Sequence, residues 1–267
     1  MKKALCFVFV LFLIQIVSLI FPGSVIVLMV KAFSDCSLKA ALEKSLDWVL
    51  IVGDLCAALY FIKKKWAVLN WGRILRHDKI ILVFISLITA TAYWILYDVF
   101  YNGVFDYDVL YHDMSEMDNG NSQVYILFVF ILLNVIVPLA EELCFRGAVL
   151  RTLYDRYGDI TFAIFVSSIL FALIHFNFRQ GVGAFCIGTL LGWLYYKTNS
   201  IIPGLIIHSY NNMMSTVYSY LHGYDSRVSD SFSGLSLYVL IFLSAIVLLL
   251  CVMFIHNKYK SSDMPAV

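Results

Sequence analysis

Long apolar runs separated by short polar segments dominate the pattern of this chain. A helix that crosses a bilayer needs ~20 mostly apolar residues. Eight runs reach or approach that length, and each is predicted to form a spanning helix. They are residues 4–30, 46–62, 80–97, 124–153, 160–178, 182–196, 201–221 and 235–255. The pattern predicts an all-α protein: a polytopic membrane bundle of about eight transmembrane helices.

The composition agrees with this architecture. Hydrophobic residues make up 61% of the 267 residues and charged residues only 14%, whereas soluble domains have ~45–50% and ~25%. A soluble fold could not cover its surface with this mixture, and a disordered chain would be more polar. The net charge of +1 gives no reason to expect nucleic acid as a partner. The expected surrounding is the lipid bilayer.

The charges of the connecting segments predict the orientation. Segment 63–79 carries six Lys or Arg and one Asp, whereas segment 98–122 carries six acids and no Lys or Arg. Basic loops favour the cytoplasmic side. Lys2 and Lys3 at the start and Lys258 near the end then fall on that side after an even number of spans. The prediction is a multi-pass protein of the plasma membrane with both termini in the cytoplasm.

Polar chemistry within the apolar runs is concentrated in the second half of the chain. We therefore divide it into N-terminal helices with an acidic extracytoplasmic loop (1–122), a core that carries the chemistry (123–222), and a last helix with a cytoplasmic tail (223–267). The six cysteines form no Cys-x-x-Cys pair, so a thiolate zinc site is not expected. No sequence feature specifies an oligomeric state.

The first polar cluster follows Pro138 in the fourth run. Glu142 and Arg146 are four residues apart, so they share a helix face and can form an ion pair. Glu141 points about 100° away and has no partner in the local sequence. Charges at the bilayer centre cost roughly 2.5–3.5 kcal/mol on insertion scales, so two adjacent carboxylates need a reason. A structural ion pair and a catalytic group are both open interpretations.

Two further clusters lie in later runs. Phe171 and His175 are four residues apart, and so are His208 and Asn212. Taken alone, each could be a packed histidine or a hydrogen bond between membrane helices.

Depth arithmetic links two of these clusters. With a turn at Gly158, Glu141 lies 17 residues before it and His175 lies 17 residues after it. In an antiparallel helix pair both reach a level ~25 Å from the turn. A second turn near Asn199 places His208 at a similar depth if the first turn projects further from the bilayer.

A carboxylate, two imidazoles and an amide at one buried level allow two hydrolytic schemes. In the first, a glutamate takes a proton from water while His and Asn N–H groups stabilise an oxyanion. In the second, Glu141, His175 and His208 are three ligands of a catalytic zinc ion with one open position. Both schemes hydrolyse a peptide bond, and the residues alone do not choose between them.

The three motifs together resemble the CPBP family of intramembrane proteases, also called Abi, which includes CAAX prenyl endopeptidases of the Rce1 type. The family pattern is Glu-Glu-x-x-x-Arg, then Phe-x-x-x-His, then His-x-x-x-Asn. The chain matches it in order, within about 124–218, at Glu141, Glu142 and Arg146, then Phe171 and His175, then His208 and Asn212. The chain has no His-Glu-x-x-His, no rhomboid Gly-x-Ser-Gly and no presenilin-type Gly-x-Gly-Asp.

The resemblance implies a role for each motif residue. Glu141 is the carboxylate that activates water, and Glu142 and Arg146 support it. His175 positions water or substrate, while His208 and Asn212 form the oxyanion site. The family is described both as metalloproteases and as metal-free glutamate proteases, so the resemblance leaves a zinc cofactor open. The expected substrate is a peptide or a lipidated protein in the membrane.

Two other functions are compatible with the same residues. One is a non-proteolytic immunity or scaffold protein of the same fold, in which the motif residues are structural. The other is a proton-coupled transporter, since intramembrane Glu and His also form proton relays. Asp54 in the second run would extend such a relay, although a place in the bundle interior or a shallow span explains it equally well.

Overall fold

The computed structural model describes residues 1–34, 52–67, 69, 71, 75–104, 127, 130–222 and 228–259. Within these ranges the chain is helical and has no β-strand. The predicted all-α membrane bundle is therefore confirmed. Most of the acidic segment 98–122, from residue 105 onward, lies outside the described residues, as do the first part of the second predicted span and the tail from residue 260.

Nine helices are found in the described ranges, and eight of them correspond to the eight predicted spans. The additional helix is the single turn α8. In chain order they are α1 (Lys2–Ser34), α2 (52–63), α3 (Arg76–Val104), α4 (130–157), α5 (Ile160–Leu173), α6 (Phe178–Thr198), α7 (Ile202–His222), α8 (Val228–Ser231) and α9 (Leu235–Lys258).

Left-handed residues end α4 and α6. Gly158 ends α4 with φ 70°, a conformation that glycine adopts without steric cost. Asp159 then begins α5, because its side chain accepts a hydrogen bond from the Phe162 N–H at 3.1 Å. Asn199 ends α6 with φ 49°. Both turns lie where the sequence predicts them, so α4 and α5 form an antiparallel pair, as do α6 and α7.

Helix α4 is not a regular α-helix. Its π-helical stretches Leu132–Ile136 and Leu143–Leu150 flank the α-helical segment Val137–Glu142. Pro138 is the second residue of this middle segment, in a first turn where the missing N–H of a proline is tolerated. In the first π stretch the Val137 N–H donates to the Leu132 carbonyl, five residues back. The π stretches change the directions of the side chains before and after the two glutamates.

The fifth predicted span is too long at its end. The sequence places a helix over 160–178, but α5 ends at Leu173, and residues 174–177 form a turn that leads to α6. Asn177 is the reason, since its side chain accepts a hydrogen bond from the Gln180 N–H at 3.1 Å and so starts a new helix. His175 therefore lies in a turn just beyond a helix rather than on its face.

The buried centre of the bundle is built around the second half of α4. Every residue of the stretch Leu143–Leu150 is buried, and α1, α5 and α6 all pack against it. On the outer surface many apolar side chains stay exposed, as expected for helices that face lipid. Among the described residues, Asp78–Phe100 in α3 and Leu235–Lys258 are long and apolar enough to cross a membrane by length and composition.

Two contacts join helix ends that lie near basic residues. The Met1 amine donates to the Tyr157 hydroxyl at 3.4 Å, so the start of α1 lies beside the end of α4. Lys258 at the end of α9 pairs with Asp78 near the start of α3 at 2.8 Å. The topology predicted from the sequence places all four helix ends on the same side of the membrane. Both contacts are compatible with it, because each joins two ends from that side.

Close packing makes a glycine necessary at position 147. A Cβ atom added to Gly147 would overlap the Cβ of Ala67, which follows α2 and is buried. The segment after α2 therefore rests directly on the backbone of α4.

We expect Gly147→Ala to lower the free energy of unfolding by about 1–3 kcal/mol, the usual effect of overpacking. Titration of the purified protein with SDS in detergent micelles would measure it. The double variant Ala67→Gly/Gly147→Ala is the control, because it removes the overlapping methyl group and should recover part of the loss. If Gly147→Ala alone were as stable as the wild type, the close approach would be wrong.

Candidate active site

A buried carboxylate, that of Glu142, is the centre of the polar cluster. The residue has no exposed surface. Its Oε1 atom lies 3.0 Å from Arg146 Nη1 and 2.9 Å from His208 Nδ1. The predicted Glu142–Arg146 pair is therefore present, and the carboxylate also joins α4 to α7. A carboxylate only accepts hydrogen bonds when ionised, so the proton in the second contact is on His208 Nδ1.

Arg146 has two further contacts that hold its guanidinium group in place. Nη2 donates to the Gly188 carbonyl of α6 at 3.3 Å. The guanidinium carbon also lies 4.6 Å from the centroid of the Phe171 ring of α5, which is a cation–π arrangement. Four helices thus converge on this buried ion pair.

Glu141 differs from its neighbour in its access to solvent. Its side chain is 14% exposed, whereas that of Glu142 is 0% exposed. Glu141 Oε2 lies 3.6 Å from His208 Nε2, slightly beyond hydrogen-bond distance. His208 therefore stands between two carboxylates, with one ring nitrogen fixed by Glu142 and the other directed toward Glu141. Of the two glutamates, only Glu141 has exposed side-chain surface.

His175 reaches the site although it lies outside a helix. Its Nδ1 atom is 2.9 Å from the Phe171 carbonyl oxygen. Since a carbonyl oxygen can only accept, Nδ1 carries the proton and the neutral ring keeps Nε2 as an acceptor. The two histidine rings contact the same Phe171 ring edge to face, with centroids 5.0 Å and 5.7 Å away. Both histidine rings therefore lie against Phe171, and His208 also lies 3.6 Å from Glu141, whereas a common depth of the three residues in the bilayer stays a prediction.

Asn212 lies one helical turn after His208 on α7. The side chain is half-buried, and its amide makes no hydrogen bond within the part of the chain that the structure describes. The structure thus brings five of the six predicted site residues into direct contact or electrostatic range, namely Glu141, Glu142, Arg146, His175 and His208. The sixth, Asn212, lies one helical turn from His208.

The three residues proposed from the sequence as zinc ligands keep a donor atom each. Nδ1–H of His208 is bound to Glu142 and Nδ1–H of His175 to a backbone carbonyl, which is the usual arrangement for histidines that bind zinc through Nε2. Glu141 and the Nε2 atoms of His175 and His208 are therefore the groups that would hold the ion, and it would polarise a bound water molecule. Across the described ranges, however, no group of three His, Cys, Asp or Glu side chains is placed to hold a metal ion.

Some residues at the site lie outside the six predicted ones. Asp54 of α2, for which the sequence left a relay, the bundle interior and a shallow span open, is buried in the bundle interior. It accepts a hydrogen bond from Gln15 Nε2 at 2.7 Å and interacts electrostatically with Glu141, and its charge inside an apolar run was the signal. The Gly188 carbonyl had no such signal, because a backbone acceptor leaves no trace in the sequence. Gly204 leaves room beside Glu142, since an added Cβ would lie 3.5 Å from Glu142 Oε2.

Comparison with known proteins covers the part of the chain that holds these motifs. Residues 123–214 match the family model described as type II CAAX prenyl endopeptidase Rce1-like. The CPBP resemblance is confirmed for this segment. The match includes α4 to most of α7, so the helices that build the CPBP-type site are the matched ones. Asp54 and Gln15 lie outside it.

A curated relative matches over a shorter length. The UPF0177 protein YxdF of Lactococcus lactis subsp. lactis (strain IL1403) is 37% identical over 86 residues. These residues are 31% of this chain and 45% of the relative, so the chain matches less than half of that protein. No solved structure matches the chain.

We expect Glu142→Gln to destabilise the protein by about 3–5 kcal/mol, because the buried Arg146 would lose its charged partner. Unfolding of the purified protein in detergent would measure the change. Glu141→Gln is the matched control, since this side chain is partly exposed and has no partner within hydrogen-bond distance. Equal effects of the two substitutions would contradict the central place of Glu142.

Proposed function

We propose that the protein is an intramembrane endopeptidase that hydrolyses a peptide bond with a glutamate-activated water molecule. The observation that carries the proposal is the division between the two glutamates. Buried Glu142 fixes His208, while partly exposed Glu141 faces the free nitrogen of the same ring. The similarity of residues 123–214 to CAAX-type intramembrane proteases supports the same reaction class.

In the first step a water molecule binds between Glu141 and His175. Nε2 of His175 accepts one hydrogen bond from this water and so orients it. Glu141 takes a proton from the water as its oxygen attacks the carbonyl carbon of the substrate, as in general base catalysis. A new C–O bond forms and the carbonyl oxygen becomes an oxyanion.

In the second step the tetrahedral intermediate breaks down. The form of His208 with a proton on both nitrogens donates Nδ1–H to Glu142 and Nε2–H to the oxyanion. The amide of Asn212 supplies a second N–H to the oxyanion. The C–N bond then breaks, and Glu141 returns its proton to the leaving amine. The chain's own residues account for every proton in this cycle.

The proposed substrate is a peptide or a lipidated protein held in the membrane. Apolar helices surround the site, so an apolar chain or a lipid group would bring a scissile bond to its depth. The location proposed is the plasma membrane, with both termini in the cytoplasm and the lipid bilayer as the surrounding. We infer no nucleic-acid partner.

A non-proteolytic scaffold or immunity protein is the second candidate. It is favoured by one observation, which is that Arg146 and Glu142 form a fully buried network with contacts to four helices. Such a network could serve stability alone. In that case Glu141, which adds little to the network, would not matter for function.

We expect Glu141→Gln to lower cleavage of membrane-compatible peptides by roughly 10²–10⁴-fold, the contribution of a general base. The assay uses purified protein in detergent and a quenched peptide library, with and without a zinc chelator, which should have no effect. Asp155→Asn is the matched control, because it removes an exposed carboxylate from the same helix. Normal cleavage by Glu141→Gln would refute the role of Glu141 as general base. If the wild type cleaved none of the peptides, the non-proteolytic scaffold protein would be favoured.

We also expect a lipid group on the substrate to lower KM by at least tenfold. Burial of one CH₂ group contributes ~0.8 kcal/mol, so even a short alkyl chain is sufficient. The comparison uses one cleaved peptide in two forms, with and without an alkyl chain on the same residue. Equal kcat/KM for the two forms would contradict a membrane-held substrate.

A further inference from the structure

Two hydrogen bonds with a common spacing join α4 and α7. His208 bonds Glu142, and Thr216 Oγ1 donates to Asn134 Oδ1 at 3.2 Å. The partners are eight residues apart on each helix, and the helices run in opposite directions. The midpoint between the two bonds is therefore Pro138 on α4 and position 212 on α7.

Asn134 is held rigidly for this second bond. The residue is 2% exposed, and its Nδ2 donates to the Phe130 carbonyl at 2.7 Å. This donation fixes which side-chain atom is the oxygen, so Oδ1 faces Thr216 as an acceptor. Asn134 lies in the π-helical stretch before Pro138, which sets its direction relative to the glutamates.

Two further hydrogen bonds of α7 go to α3. Trp94 Nε1 donates to Ser215 Oγ at 3.1 Å, and Thr91 Oγ1 donates to the Tyr210 hydroxyl at 3.1 Å, and both partners belong to α3. These bonds attach α7 to α3, whereas the His208 and Thr216 bonds attach it to α4. Ser215 and Thr216 are neighbours, so they offer a matched pair of substitutions.

We propose that Asn134 and Thr216 are positioning residues that hold Asn212 opposite Pro138. This inference rests on the proposed function, in which Asn212 binds the oxyanion. The His208 bond alone would join α7 to α4 at one point only, since the bonds of Tyr210 and Ser215 go to α3. The second bond lies ~12 Å further along the helix. With α7 joined to α4 at both points, the backbone of residue 212 is held at a set distance from Pro138, and the side chain starts from that position.

The kinetic test compares Thr216→Val with Ser215→Ala. Thr216→Val keeps the shape of the side chain but removes the donor, and we expect kcat to fall roughly two- to tenfold, as for the loss of one neutral hydrogen bond. KM should change less than kcat. Thr216→Ser keeps the donor and should restore kcat, whereas Ser215→Ala should leave it unchanged. In an Asn212→Ala background, Thr216→Val should have no further effect.

A second measurement does not depend on catalysis. The variant Asn212→Cys is treated with a small thiol reagent. Mass spectrometry of the peptide that contains residue 212 then gives the rate at which this cysteine is labelled. We expect the rate to rise several-fold when Thr216→Val is added and to stay constant with Ser215→Ala.

The outcomes separate this proposal from the proposed function. Two kinetic outcomes would overturn the proposal, because they would show that the Thr216 bond is an ordinary helix contact. The first is an equal loss of kcat in Thr216→Val and Ser215→Ala. The second is an undiminished effect of Thr216→Val on kcat when Asn212→Ala is already present. An unchanged labelling rate in Thr216→Val would overturn it as well. A wild-type protein that cleaves nothing, with a labelling rate that still responds to Thr216→Val, would refute the protease while the positioning of residue 212 stands.

Discussion

The carboxylate of Glu142 is the group on which the arrangement of the site depends. A carboxylate with no exposed surface is tolerated in an apolar bundle only when a partner compensates its charge. Arg146 of α4 and His208 of α7 both contact its Oε1 atom, and Arg146 in turn binds the backbone of α6 and lies over the Phe171 ring of α5. The cost of an unpaired charge thus forces four helices to meet at one point.

Helix α4, which carries both glutamates, has an irregular backbone. The π-helical stretches lie on either side of the segment that carries both glutamates. Each π turn rotates the following side chains relative to a regular helix. Within the middle segment the two glutamates keep the 100° step of an α-helix. Glu142 therefore has no exposed surface, whereas the side chain of Glu141 is partly exposed.

Much of this organisation could be predicted from the sequence, although some elements could not. The eight helices follow from the apolar runs, and the turns at Gly158 and Asn199 lie where polar and left-handed residues interrupt them. The end of α5 was predicted wrongly, because the apolar run continues past Leu173 while the Asn177 cap starts a new helix. A local hydrogen bond overrode the hydrophobic pattern there.

The sequence by itself determined the membrane class of this protein, its helices and the six residues of the candidate site, because composition and residue spacing are local properties. Only the tertiary structure decided which glutamate is buried, that His208 lies between both of them, and that Asp54 of α2 stands near Glu141. These relations depend on how distant helices rotate and pack against one another. No local pattern encodes the direction in which a side chain points once its helix has met its neighbours.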